Sequence, residues 1–146
     1  MSDFSTTTAF RLVRRLAIGD HSTSMYLLIC EEADQPVIES DLKAEVEVQM
    51  GNTLPISRLS QHVEDDTLGL VDSGAMRALR IDRWSPDIVA GLDTHVVRLE
   101  RTGAQFLFIT SSALAERLLT QAPNFRNRLT EVLRIIADAA VEGASS

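Results

Sequence analysis

The chain has 146 residues, with 14 Lys and Arg against 21 Asp and Glu and a formal net charge of −7. Hydrophobic residues make up 45% of it, enough for an ordinary core and too many for a disordered chain. The negative field repels phosphate backbones and argues against nucleic acid as a partner, and no apolar run approaches the ~20 residues that a membrane helix needs.

Ala9, Phe10, Val13, Leu16 and Ala17 recur at helical spacing, which predicts a first helix near 7–17, stopped at Gly19. Met25 to Cys30 is a short apolar run and reads as a strand buried on both faces. Ile38, Leu42, Val46 and Met50 step by four, an amphipathic helix that Gly51-Asn52 ends. Leu54 to Leu59 reads as a short strand that Pro55 keeps from the centre of the sheet. His62 to Gly74 is acidic and reads as a long loop with a helical turn.

Ala75 to Ile81 reads as a strand ending at Asp82. Ser85 and Pro86 then open a helix whose face is Ile88, Val89, Leu92, Val96 and Leu99, and Gly103 closes it. Phe106 to Ile109 is a second buried strand. Thr110, Ser111 or Ser112 caps the next helix, with Leu114, Ala115, Leu118 and Leu119 inward and Pro123 at its end. Leu129, Val132, Leu133, Ile136 and Ala140 fit a last amphipathic helix. There is no internal repeat.

Strands alternating with helices imply a three-layer α/β/α domain over residues 1–146, with a mostly parallel sheet of about four strands, five or six helices and flexible tails near 1–6 and 142–146. The polar start, Met1 to Ala9, carries no signal-peptide run, and the single cysteine, Cys30, forbids an intrachain disulfide. Both suit a cytoplasmic location.

Residues 78–135 resemble the second half of P-loop NTPase-like domains of the STAND type, especially the degenerate ones of bacterial signalling and conflict proteins. The residues that carry this are Leu79-Arg80-Ile81-Asp82, Leu92-Asp93, Leu99, Gly103, Phe106 to Thr110, and Leu118 to Phe125 with Arg128 just beyond. The Ala122-Pro123-Asn124-Phe125 element is the most specific; here Asn124 stands where the family has an acid, and no Trp follows. The resemblance implies a P-loop-like scaffold and the class of system. The chain departs from a working nucleotide site after its first buried strand. There Cys30-Glu31-Glu32-Ala33-Asp34-Gln35-Pro36 offers no Gly or Lys to hold phosphates and three carboxylates that repel them. No Ser or Thr for magnesium and no dinucleotide fingerprint is present either.

The remaining candidates have simpler explanations. Cys30 sits where nucleophiles occur, but Glu31 and Glu32 disfavour its thiolate, so a buried structural thiol is expected. His62 with Glu64, Asp65 and Asp66 matches no metal-loop spacing, and no metal is expected. Thr110-Ser111-Ser112-Ala113 lacks the glycines of a nucleophile elbow. Asp82, at a strand end, reads as a turn carboxylate paired with Arg80 or Arg83.

The expectation is therefore a non-catalytic module with no cofactor that binds another protein, with self-association into a homo-oligomer compatible with the sequence. The partner surface expected is Arg80, Asp82, Arg83 and Trp84 at the strand end, and Phe125, Arg126 and Arg128 on the second segment. The alternative is a sensor of a nucleotide or other small molecule, using a non-standard pocket at the carboxyl edge of the sheet.

Overall fold

A computed structural model describes residues 4–18, 24–60, 63, 76–102 and 104–138. In chain order they form β1 (Ser5–Thr8), α1 (Ala9–Ile18), β2 (Ser24–Ile29), a 3-10 turn (Glu32–Asp34), α2 (Gln35–Met50), β3 (Ile56–Arg58), β4 (Met76–Ile81), α3 (Pro86–Glu100), β5 (Gln105–Thr110), α4 (Ser112–Gln121), α5 (Pro123–Arg128) and β6 (Glu131–Ile136). The strands make one sheet in the order β1-β6-β2-β5-β4-β3, and every pairing is parallel.

Two cores follow from the period-two alternation of the central strands. Met25, Leu27 and Ile29 of β2 join Leu79, Ile81, Phe106 and Phe108 on one face, under Leu92 and Val96 of α3, Leu118 of α4 and Phe125 of α5. Tyr26, Leu28 and Cys30 face the other way with Leu107 and Ile109, under Leu12 and Val13 of α1 and Ile38, Leu42 and Val46 of α2. This is a three-layer α/β/α arrangement, and it explains why β2 and β5 are apolar without interruption: both of their faces are covered. Gly51 closes α2 in the left-handed conformation, φ 68°, with its N–H on the Glu47 carbonyl. Among the described residues no helix is long and apolar enough to cross a membrane.

The sheet is wider than its apolar runs announce. Six strands are described where about four are expected from the apolar segments. One addition is β1: Ser5 lies in a strand rather than a tail, and Thr7 and Thr8 are buried against α1. The other is β6, where the spacing predicts a helix over 129–140. Leu133 and Ile135 are buried while Arg134 and Ile136 are exposed, an alternation that the helical steps from Leu129 to Ile136 mask. Pairing decides it. The Thr130 N–H donates to the Met25 carbonyl at 2.7 Å and the Met25 N–H to Thr130 Oγ1 at 3.1 Å, which fastens the start of β6 to β2. The acidic stretch 62–74, Gly19, Gly103 and the tail 142–146 lie outside the described residues, Val63 excepted.

β2 and β5 are neighbours whose connections diverge: β2 leads through α2 toward β3 at one edge, and β5 leads through α4 and α5 to β6 on the other side. In open parallel sheets, such a divergence leaves a crevice at the carboxyl ends of the strands, the usual place for a ligand.

Candidate functional site at the carboxyl edge

The crevice is there, and it is small. Glu32, Gln35, Ile81, Asp82, Arg83, Ser111 and Leu114 enclose about 250 Å³, below the ~300–1,000 Å³ of typical small-molecule sites. Its wall on the β2 side is a single 3-10 turn in which the Asp34 N–H donates to the Glu31 carbonyl at 2.9 Å. α2 then begins Gln35-Pro36, so its first turn lacks one N–H. Glu31, Glu32 and Asp34 are exposed here. Their charge and the committed N–H groups make this turn a poor cradle for polyphosphate.

Cys30 lies beneath the turn, its N–H on the Thr110 carbonyl at 3.0 Å. Burial first, then the charges of Asp34, Glu39 and Glu31, push its thiol up to about 11. The sequence names Glu31 and Glu32; Glu31 is among the charges that act, while Asp34 and Glu39 of α2 act in place of Glu32. The end of β5 is tied to β4 by the buried Thr110, whose Oγ1 donates to the Ile81 carbonyl at 2.8 Å. Ser111 is the residue that caps α4, accepting from the Leu114 N–H.

The four residues expected to act together at the end of β4 are divided. Arg80 turns toward α2, where Nε and Nη2 each reach a Glu39 oxygen at 2.6 Å. That pairing raises the pKa of its guanidinium. Asp82 is paired with neither Arg80 nor Arg83: it accepts from Arg58 Nε of β3 at 2.9 Å. Arg83 is exposed at the crevice mouth. Trp84 is half-buried against the α3–α5 core, and the Arg117 guanidinium of α4 lies 3.6 Å from its ring centroid, a cation–π contact. What remains on the rim is Arg83, Trp84 and Arg117. Nothing in the sequence marks Arg117, Arg58 or Glu39, because each becomes relevant only through long-range packing.

The second expected segment is divided as well. Phe125 is fully buried and packs edge-on against Phe108, with centroids 5.1 Å apart. Arg128 pairs with Glu100 of α3 at 2.9 Å. Arg126 is exposed and faces a second, larger hollow beyond α4, which Arg134 also lines. Among the described residues no group of three His, Cys, Asp or Glu is placed to hold a metal ion.

Comparison with known proteins returns no match among family models, curated proteins or solved structures.

Proposed function

We propose that this chain is a non-catalytic interaction module, a degenerate P-loop-like scaffold from a bacterial signalling or defence system, that binds another protein through the rim formed by Arg83, Trp84 and Arg117. One observation carries the reading. At the edge where such sheets bind ligands, the structure offers an aromatic ring stacked under a guanidinium, with a second arginine beside it. The crevice itself is small and flanked by the acidic turn 31–34. Trp and Arg are the side chains richest in interface hot spots, and the cation–π stack holds both in one orientation before a partner arrives. The resemblance in residues 78–135 supplies the class of system, and a cytoplasmic setting goes with it. The acidic background of the chain favours a protein over nucleic acid.

The test is affinity capture from the source organism with the wild-type chain and with Arg83→Glu and Arg117→Glu, two exposed positions that carry little of the core. A specific protein retained by the wild type and lost with both variants, at unchanged melting temperature, supports the reading. Retention by both variants defeats it. So does a nucleotide that stabilises the fold by ~2.7 kcal/mol at a hundredfold excess over its dissociation constant.

A further inference from the structure

Beyond α4, where β6 extends the sheet past its helical cover, a hollow of about 660 Å³ opens. Its size lies within the range of small-molecule sites. Phe4, Ile29, Leu119 and Val132 give it apolar sides, and Arg126 of α5 and Arg134 of β6 line it with guanidinium groups. Several arginines of this acidic chain are committed elsewhere. Arg15, Arg58, Arg80 and Arg128 are each paired with a carboxylate. Arg126 and Arg134 have no hydrogen-bonded or ionic side-chain partner among the described residues. Among the described residues Glu116 is the one carboxylate lining the hollow, so its described lining carries a surplus of one positive charge within a chain of net charge −7.

We infer that this hollow is a binding site for a small organic monoanion with an apolar body, such as an aryl or alkyl carboxylate or sulfonate. The apolar sides take the body, and burying it there adds to the affinity. The guanidinium groups meet the charged head with planar, fork-like donors that fit carboxylate and sulfonate oxygens. A dianion or polyphosphate is disfavoured by Glu116 and by the overall charge.

This site is independent of the proposed partner surface. Ser112, Ala115, Glu116, Leu119 and Thr120 of α4 line the hollow, a set at i, i+3, i+4, i+7 and i+8 that occupies one helix face. Arg117, stacked on Trp84, projects from another face of the same helix.

The probe is 1-anilinonaphthalene-8-sulfonate, with the neutral N-phenyl-1-naphthylamine as its uncharged counterpart. Fluorescence titration of the native chain is expected to show one saturable sulfonate site. Arg126→Gln/Arg134→Gln weakens the sulfonate at least tenfold while moving the neutral amine less than threefold. Thr120→Trp, at an exposed position on the wall, abolishes binding of both. Melting temperatures of the variants match the wild type, because both arginines and Thr120 are exposed. Absence of saturable sulfonate binding overturns the inference, and so does equal affinity before and after the arginines are replaced. A loss caused by unfolding is recognised by its melting curve; the single variants Arg126→Lys and Arg134→Lys, which keep charge but lose the fork, then decide, each expected to weaken the sulfonate at least threefold and no change in either overturning the assignment.

Discussion

The carboxylate of Asp93, midway along α3, caps the first turn of α5. Its Oδ1 accepts from the backbone N–H of Asn124 at 2.7 Å and of Phe125 at 3.3 Å, and its Oδ2 accepts from Asn124 Nδ2 at 3.3 Å. α5 has no side-chain cap of its own, since Ala122 occupies that position. The bond thus joins two motifs 31 residues apart in the chain and holds Phe125 against Phe108.

Asp93→Ala is expected to cost about 1–2 kcal/mol, the usual worth of a helix cap. Asp93→Asn, which keeps an acceptor oxygen, costs less than half of that. Urea unfolding at neutral pH measures both. Equal midpoints for wild type and Asp93→Ala would show that the cap carries no stability.

Gly91, inside α3, sits against Val63. A Cβ added there meets Val63 Cγ2 at 2.7 Å and Val63 Cβ at 2.8 Å. Gly→Ala in a helix ordinarily stabilises by roughly 0.5–1 kcal/mol. Here Gly91→Ala is expected to destabilise instead, by about 1–3 kcal/mol, because a branched neighbour is forced to move. Pairing it with Val63→Ala relieves the clash. In a thermal-melt double-mutant cycle the two substitutions are therefore less damaging together than their separate effects add up to.

Arg80 ties β4 to α2 through its paired bonds to Glu39. Breaking its paired bonds to Glu39 with Arg80→Met is expected to cost on the order of 1 kcal/mol, discounted for the water that reaches the guanidinium. Partner capture by the folded variant should equal that of the wild type. A variant that melts normally but loses its partner would move Arg80 back to the interface.

The thiol of Cys30, pushed up to about 11 from an ordinary 9.0, is expected to resist alkylation. At pH 8 the native chain should react with iodoacetamide on the order of a hundredfold more slowly than the urea-unfolded chain, and the rate should climb steeply above pH 10. The folded state keeps a proton that the unfolded state releases between these two values, so this group's contribution to stability falls as pH rises from about 9 to about 11. Equal alkylation rates in both states at pH 8 would refute the assignment.

The layers and the central strands were legible because burial on both faces leaves an unbroken apolar run, as in Phe106 to Ile109, because Pro55 fixes the backbone locally, and because Gly51 permits the left-handed turn that ends α2. The edges were not. β1 is mostly Thr, with no apolar run to announce it, and Leu129 to Ile136 satisfies the helical period and the strand period at once. The candidate surface was legible one residue at a time, but its grouping was not. β4 ends at Ile81, so Arg80, still on the strand, reaches Glu39 of α2, while Trp84, beyond the strand end, packs on the core under α3–α5, and Arg117 arrives from 33 residues beyond Trp84. Phe125 illustrates the same limit: an aromatic beside two arginines reads as a patch until the core claims the ring.

The outermost strands, β1 and β3, have four and three residues, and Pro55 directly precedes β3. Among the described residues few main-chain groups are therefore available for an incoming chain to pair with, which lowers the hazard of edge-to-edge aggregation. It also limits how this domain can be recruited. A partner that reads backbones by lengthening a sheet would gain little here, so recognition falls to side chains, and single substitutions should be able to switch it off.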